Sequence, residues 1–271
     1  MAILRAFAVG AAVARVALDR IRADEKAGTL ERTNFHGRTV TLAGGPALVL
    51  GATAGAVVGA TGGRAKAAVI TAGLTAGAVG FYDDMAGNDP SQKAIKGFAG
   101  HLGALREGKV TSGLVKIAGV GTAALVASAL IGSKRRSRFG RATDVLLGAG
   151  VIAGTANLVN LLDLRPGRAI KAGMVIGAPL GGIAAGALGA GGALLPDDLG
   201  EEIMLGDAGA NALGALLGVA LAARTGPAGR AVALTVLVAL TAASEKVSFT
   251  KVIEDTPWLR RLDELGRRPP A

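Results

Sequence analysis

The chain has 271 residues, 51% of them hydrophobic and 18% charged, with a formal net charge of +10 and a mean hydropathy of +0.47, too apolar for an ordinary basic soluble domain. With 3% aromatic residues it lacks the stacking platforms of nucleic-acid binders, which argues against nucleic acid and assigns the basic residues to anionic membrane lipids or phosphates. The lack of cysteine excludes disulfides, thiolate nucleophiles and thiolate metal sites, and two histidines are too few for a histidine-based zinc site.

Apolar runs fall near residues 3–20, 42–62, 65–82, 114–132, 144–162, 169–195, 211–223 and 231–243. Set against the roughly 20 residues a helix needs to span hydrocarbon, they predict an all-α, polytopic transmembrane bundle of about 8–9 short Gly/Ala-rich helices. Residues 1–245 form one membrane domain and 246–271 a cytoplasmic tail. The stretch Ile3–Leu18 has the look of a signal-peptide core, but the later runs make it the first membrane helix. Gly51, Gly55, Gly59 and Gly63 share one helix face, and Gly182/Gly186 and Gly214/Gly218 repeat the spacing, which predicts close helix packing. After Pro257, the residues Trp258, Leu259, Leu262 and Leu265 form one apolar stripe, capped by Thr256 and ended by Gly266. This segment reads as an interfacial helix or as a docking face for a partner protein or a second copy.

The lysines and arginines set an orientation. With the N-terminus outside, the segments 19–40, 82–116, 163–171 and 245–268 hold 19 basic residues and the opposite side holds nine, which places the first set in the cytoplasm. The cluster Lys134, Arg135, Arg136, Arg138 and Arg141 runs against this bias.

Three apolar runs stop at carboxylates, at Asp83-Asp84, Asp163 and Asp207. Acids at the rim of hydrocarbon are costly unless a cation or a phosphate-handling site needs them, so they suggest a membrane-embedded enzyme. For Asp163 and Asp207 to share a face, 169–195 must cross twice or dip and return. That predicts a glycine hairpin turning near Gly181-Gly182 or at Gly189–Gly192. A single long helix would bring Asp197, Asp198, Glu201 and Glu202 into the membrane, where acids resist burial.

At these residues the chain resembles the polyprenyl-phosphate N-acetylhexosamine-1-phosphate transferase family. Arg38 to Ala43-Gly44-Gly45-Pro46 resembles its first cytoplasmic loop, Phe81-Tyr82-Asp83-Asp84 its paired-aspartate motif, and Lys96-Gly97 a following basic position. Ala156-Asn157-Leu158-Val159-Asn160-Leu161-Leu162-Asp163 is similar to its Asn-x-x-Asn-x-x-Asp motif, and Gly206-Asp207-Ala208-Gly209-Ala210 to its Gly-Asp-x-Gly-Ser motif. Two departures stand out. Pro166 occupies the family's second aspartate position after the asparagines, and the late histidine-rich loop of the muramoyl-pentapeptide members is missing.

The resemblance implies transfer of a sugar-1-phosphate from a nucleotide-diphosphate sugar, a UDP-N-acetylhexosamine, to polyprenyl phosphate. UMP would leave, at the cytoplasmic face of the cell membrane, in cell-envelope (peptidoglycan-type) glycan synthesis. Such chemistry brings anions together, so positioning and neutralisation by Mg²⁺ and Lys or Arg dominate. Asp207 and one of Asp83 or Asp84, with Asp84 taken as the ligand, are assigned to Mg²⁺. The other positions or deprotonates the acceptor, with Asp163 and Lys96 also catalytic. Asn157, Asn160, Lys93 and Arg165 are assigned to the substrates. The competing structural roles are solvated helix ends for the aspartates, interhelical hydrogen bonds for the asparagines, headgroup anchors for the cations, and surface positions for His36 and His101. Pro166 and Ala210 also leave open a degenerate relative that binds lipid phosphate or a partner without turnover, and the glycine content a small transporter or scaffold.

Overall fold

The computed structural model describes residues 1–86, 103, 104, 106 and 111–268. The apolar runs fold as helices, because apolar stretches of this length satisfy their backbone only by coiling when water is absent. Among the described residues there are eleven: α1 (Ala2–Arg22), α2 (Gly44–Gly59), α3 (Gly63–Ala86), α4 (Ser112–Ile131), α5 (Arg138–Leu162), α6 (Arg168–Gly177), α7 (Gly182–Leu199), α8 (Gly206–Arg224), α9 (Pro227–Ser244), α10 (Phe249–Asp255) and α11 (Pro257–Glu264). Five of them, α3, α4, α5, α8 and α9, are long and apolar enough to cross a membrane, while α2 is apolar but shorter.

One element departs from the all-helical expectation. Between α1 and α2, β1 (Glu31–Thr33) and β2 (Thr39–Thr41) form a small antiparallel hairpin with Arg32 opposite Val40. It is tied to the segment before α8 by the Met204 N–H, which donates to the Thr41 carbonyl at 2.9 Å.

Helix α8 is the axis of the bundle. Of the five long helices it is the most enclosed, and α9, whose Val232, Val236 and Val238 face outward, the least. Glycine sets how near the neighbours come. A Cβ at Gly214 would lie 2.5 Å from the Thr155 carbonyl oxygen, and one at Gly218 2.7 Å from the Ile152 Cα, so α5 lies directly on α8. Gly51 and Gly55 do the same for α2 against α1, where an added Cβ would come within 2.7 Å of Gly10 O and 2.6 Å of Ala6 O respectively. Gly59 and Gly182 meet at the far end of α2, whereas Gly63 faces open space and takes no part in the packing.

The expected hairpin is present. Helix α6 ends in a 3₁₀ turn, Ala178–Leu180, and the chain reverses at Gly181, whose φ of +73° an L side chain rarely adopts. The turn reaches the end of the bundle opposite the aspartates, where the Arg224 guanidinium donates to the Leu180 carbonyl at 3.3 Å. Helix α7 then returns, so that Asp198 accepts the Gly167 N–H at 3.0 Å. The turn therefore lies at Gly181-Gly182 and not at Gly189–Gly192.

The premise behind that expectation is corrected. Asp198 and Glu201 are each only 4% exposed, because both have partners. Glu201 takes hydrogen bonds from Asn34 and His36 and pairs with Arg38 at 2.9 Å. Burial pushes the Glu201 carboxyl up, but these contacts outweigh it and hold the group below the usual carboxylate range. His36 thus pins the β-hairpin to the α7–α8 turn.

The C-terminal segment folds back onto the bundle. Arg168 makes two 2.8 Å bonds to the Asp263 carboxylate, and Arg267 makes a third contact at 2.7 Å. Burial acts to raise the Asp263 carboxyl, yet Arg168 and Arg267 keep it low. The Thr256 side chain does not cap α11. Its hydroxyl donates instead to the Val252 carbonyl. Trp258, Leu262 and Leu265 remain 62%, 56% and 67% exposed, an outward apolar stripe of the kind expected.

Candidate active site at the acidic end of the bundle

Four aspartates from three distant places in the chain arrive at one end because α3 and α5 end there and α8 begins there. Asp83 and Asp84 occupy the last turn of α3, Asp163 follows the last residue of α5, and Asp207 lies in the first turn of α8. Gly80 allows α3 to approach so closely that a Cβ there would collide with the Asp207 backbone.

The two adjacent aspartates have different partners. Both Asp84 carboxylate oxygens are engaged by backbone donors, Oδ1 by the Asp207 N–H at 2.9 Å and Oδ2 by the Ala208 N–H at 3.0 Å. Asp84 therefore caps α8 from another helix, meeting the free N–H groups and the positive end of its dipole. Gly206 makes this possible. Its φ is +59°, and a Cβ would sit 2.8 Å from Asp84 Oδ1.

Asp83 shares a cation with Asp207. The Lys116 ammonium lies 2.7 Å from Asp83 Oδ2 and also bonds Asp207 Oδ2. These three side chains are 15–25% exposed, so solvent and a ligand can reach them. The pairing at the cation is thus Asp83 with Asp207, not Asp84 with Asp207. In the sequence Lys116 is only one of the basic residues of the segment 82–116. Its position inside the apolar run 114–132 is the signal that could have identified it, since a lysine in such a run needs a partner.

Asp163 stands beside them. Burial first, and then the charges of Asp198, Asp207 and Asp84, push its carboxyl well above the usual range. It borders a cavity of about 250 Å³ whose wall includes Phe35, Arg165, Pro166, Asp198 and Glu201. The Arg165 guanidinium carbon lies 4.2 Å from the Phe35 ring centre, a cation–π pair, and the same side chain reaches Glu254 at 3.6 Å.

The remaining expected residues are placed unevenly. The Asn157 amide donates to Thr241 Oγ1 on α9 at 3.1 Å, the interhelical role that competes with substrate binding. Asn160 is half-buried one turn nearer to Asp163, and its backbone carbonyl accepts the Asp163 N–H at 3.1 Å. Lys93, Lys96 and His101 lie outside the described residues. The segment Ala43 to Pro46 is also here, with Gly44 and Gly45 packed on Met204, Leu205 and Ala208.

Among the described residues no group of three or more His, Cys, Asp or Glu side chains is arranged to hold a metal ion. Two carboxylates, Asp83 and Asp207, do converge on one cation. No protein-family model matches the chain, and no curated protein is significantly similar to it.

Proposed function

We propose that the chain is a multi-pass membrane enzyme transferring a sugar-1-phosphate from a nucleotide-diphosphate sugar to polyprenyl phosphate. The acidic end would face the cytoplasm, as the basic-residue bias of 19 to nine suggests. The observation that carries this reading is the meeting of Asp83, Asp207 and Lys116 beside Asp163, at the end where α3 and α5 stop and α8 starts. The segments of the chain that resemble the family's motifs fall at that same end wherever the structure describes them.

In the proposed reaction a phosphate oxygen of the lipid attacks the β-phosphorus of the donor. The bond from that phosphorus to the oxygen bridging to the α-phosphate breaks, and UMP leaves with the electron pair. The lipid phosphate needs little activation, because its second pKa of about 6 leaves it mostly ionised at neutral pH. What the chain must supply is charge and position. Lys116 supplies a fixed ammonium where the diphosphate would lie. Asp84 fixes the start of α8 and so aims Asp207. Asp163 can hold or release a proton at the cavity wall, where Arg165 and Phe35 offer a charge and a ring face to the nucleotide half of the donor.

The residues fit a magnesium ion of the kind held by one or two carboxylates and completed by substrate phosphates. Asp83 and Asp207 would hold it, and when bound it would neutralise the diphosphate. A second reading has support from the same atoms. Lys116 already bonds both carboxylates, and Pro166 stands where the family has an aspartate, as in a relative that binds lipid phosphate without turnover.

Purified protein given polyprenyl phosphate, Mg²⁺ and a panel of UDP-sugars separates the two. UMP release that falls by about 10²–10³-fold or more in Asp207→Ala is the expected result. Saturable lipid binding with no release from any donor would replace the enzyme with the binding protein.

A further inference from the structure

The end of the bundle opposite the aspartates surrounds a cavity of about 650 Å³ lined mainly by cations among its charged residues. Six cations line it, Arg64, Lys134, Arg135, Arg141, Arg224 and Arg230, against one carboxylate, Asp144. They come from four places in the chain: the start of α3, the α4–α5 connection with the start of α5, the end of α8, and the start of α9. The volume falls in the range of small-molecule sites.

Three of the six are already engaged. Arg230 is buried and holds Asp144 at 2.9 Å and the Ala222 carbonyl at 2.8 Å. Arg64 donates to the carbonyls of Leu130 and Ala129 at the end of α4, at 3.1 and 3.2 Å. Arg224 donates to Leu180 across the hairpin turn. These three build the walls. Lys134, Arg135 and Arg141 have no acidic partner among the described residues, and all three are exposed at the cavity. Unpaired like charges repel one another, and a basic cluster on this side also runs against the orientation bias of the chain. An anion in the cavity would relieve that repulsion.

We propose that this cavity binds a phosphate-bearing anion, either a lipid headgroup or a free diphosphate, with Arg135 and Arg141 as its direct contacts and Lys134 beside them. Arginine forks match phosphate oxygens two at a time, so two of them with a lysine suit one phosphate or a diphosphate. Arg230 and Asp144 hold α5 and α9 together as the floor. The site is separate from the acidic end, lying across the full length of α8 from Asp207.

The test uses the full chain in a neutral detergent, titrated calorimetrically with short-chain phosphatidylglycerol, inorganic pyrophosphate and short-chain phosphatidylcholine. Saturable binding of phosphatidylglycerol or pyrophosphate is expected. It should weaken about tenfold or more in Arg135→Gln/Arg141→Gln and remain within twofold in Arg136→Gln/Arg138→Gln, which removes the same charge from the same connection outside the cavity wall. Pyrophosphate that binds and displaces the lipid assigns a free diphosphate; binding of phosphatidylglycerol alone assigns a headgroup. Absence of saturable binding of either, or an equal loss in both double variants, overturns the proposal. The lining residues exchanged are exposed and unpaired, so an unchanged melting temperature in detergent is expected. If the first variant melts early, Lys134→Gln alone must still weaken binding, and failure to do so overturns the proposal as well.

Discussion

The two ends of α8 carry opposite charge and handle it in opposite ways. At the start of the helix, three of the aspartates have protein partners: Asp84 has two backbone donors, and Asp83 and Asp207 share Lys116. At its far end, structural cations are bonded to carbonyls and to Asp144, while Lys134, Arg135 and Arg141 keep their charge unspent. The near cluster has more carboxylates than ammonium groups and suits a further cation, whereas the far one suits an anion. The two ends of α8 therefore differ in the sign of their uncompensated charge.

Changes confined to one end should leave the other intact, and the largest effect is expected at the far end. Arg230→Met leaves Asp144 buried without its partner, and removing one member of a buried pair costs roughly 3–5 kcal/mol. A large fall in melting temperature in detergent is expected, with the Asp83–Lys116–Asp207 cluster unchanged in whatever protein remains folded. Gly206→Ala should act at the near end by a smaller amount. A left-handed backbone costs an alanine about 1–2 kcal/mol, and the new methyl would press on Asp84 Oδ1. The expected outcome is a modest loss of stability but a strong loss of UMP release, because Asp207 is displaced. Phosphoanion binding at the far cavity, measured on the same sample, should not change.

Much of this organisation was legible in sequence where it follows from hydrophobic length and from topology. The runs at 65–82 and 144–162 had to be helices, and the need to bring Asp163 and Asp207 to one face demanded the reversal found at Gly181. The spacing of Gly51, Gly55 and Gly59 announced tight packing, although Gly63 extended the pattern by one residue too many. What was not legible depends on partners far apart in the chain. Glu201 looked too acidic to bury, and its partner Arg38 is 163 positions away. The β-hairpin has strands of three residues, too short for alternation to show. Asp83 and Asp84 are indistinguishable as a pair of letters. Only the approach of α8 gives one of them the helix end and the other the lysine.

Whether the carboxylates at the near end handle a divalent ion can be read directly from Mn²⁺ binding, followed by electron paramagnetic resonance of the purified protein with a UDP-N-acetylhexosamine present. The expected result is saturable binding of one Mn²⁺ that is lost in Asp207→Asn and in Asp83→Asn but kept in Asp19→Asn, an exposed aspartate on α1. Binding that survives the loss of both Asp83 and Asp207, or no saturable binding in the unaltered protein, would contradict the account.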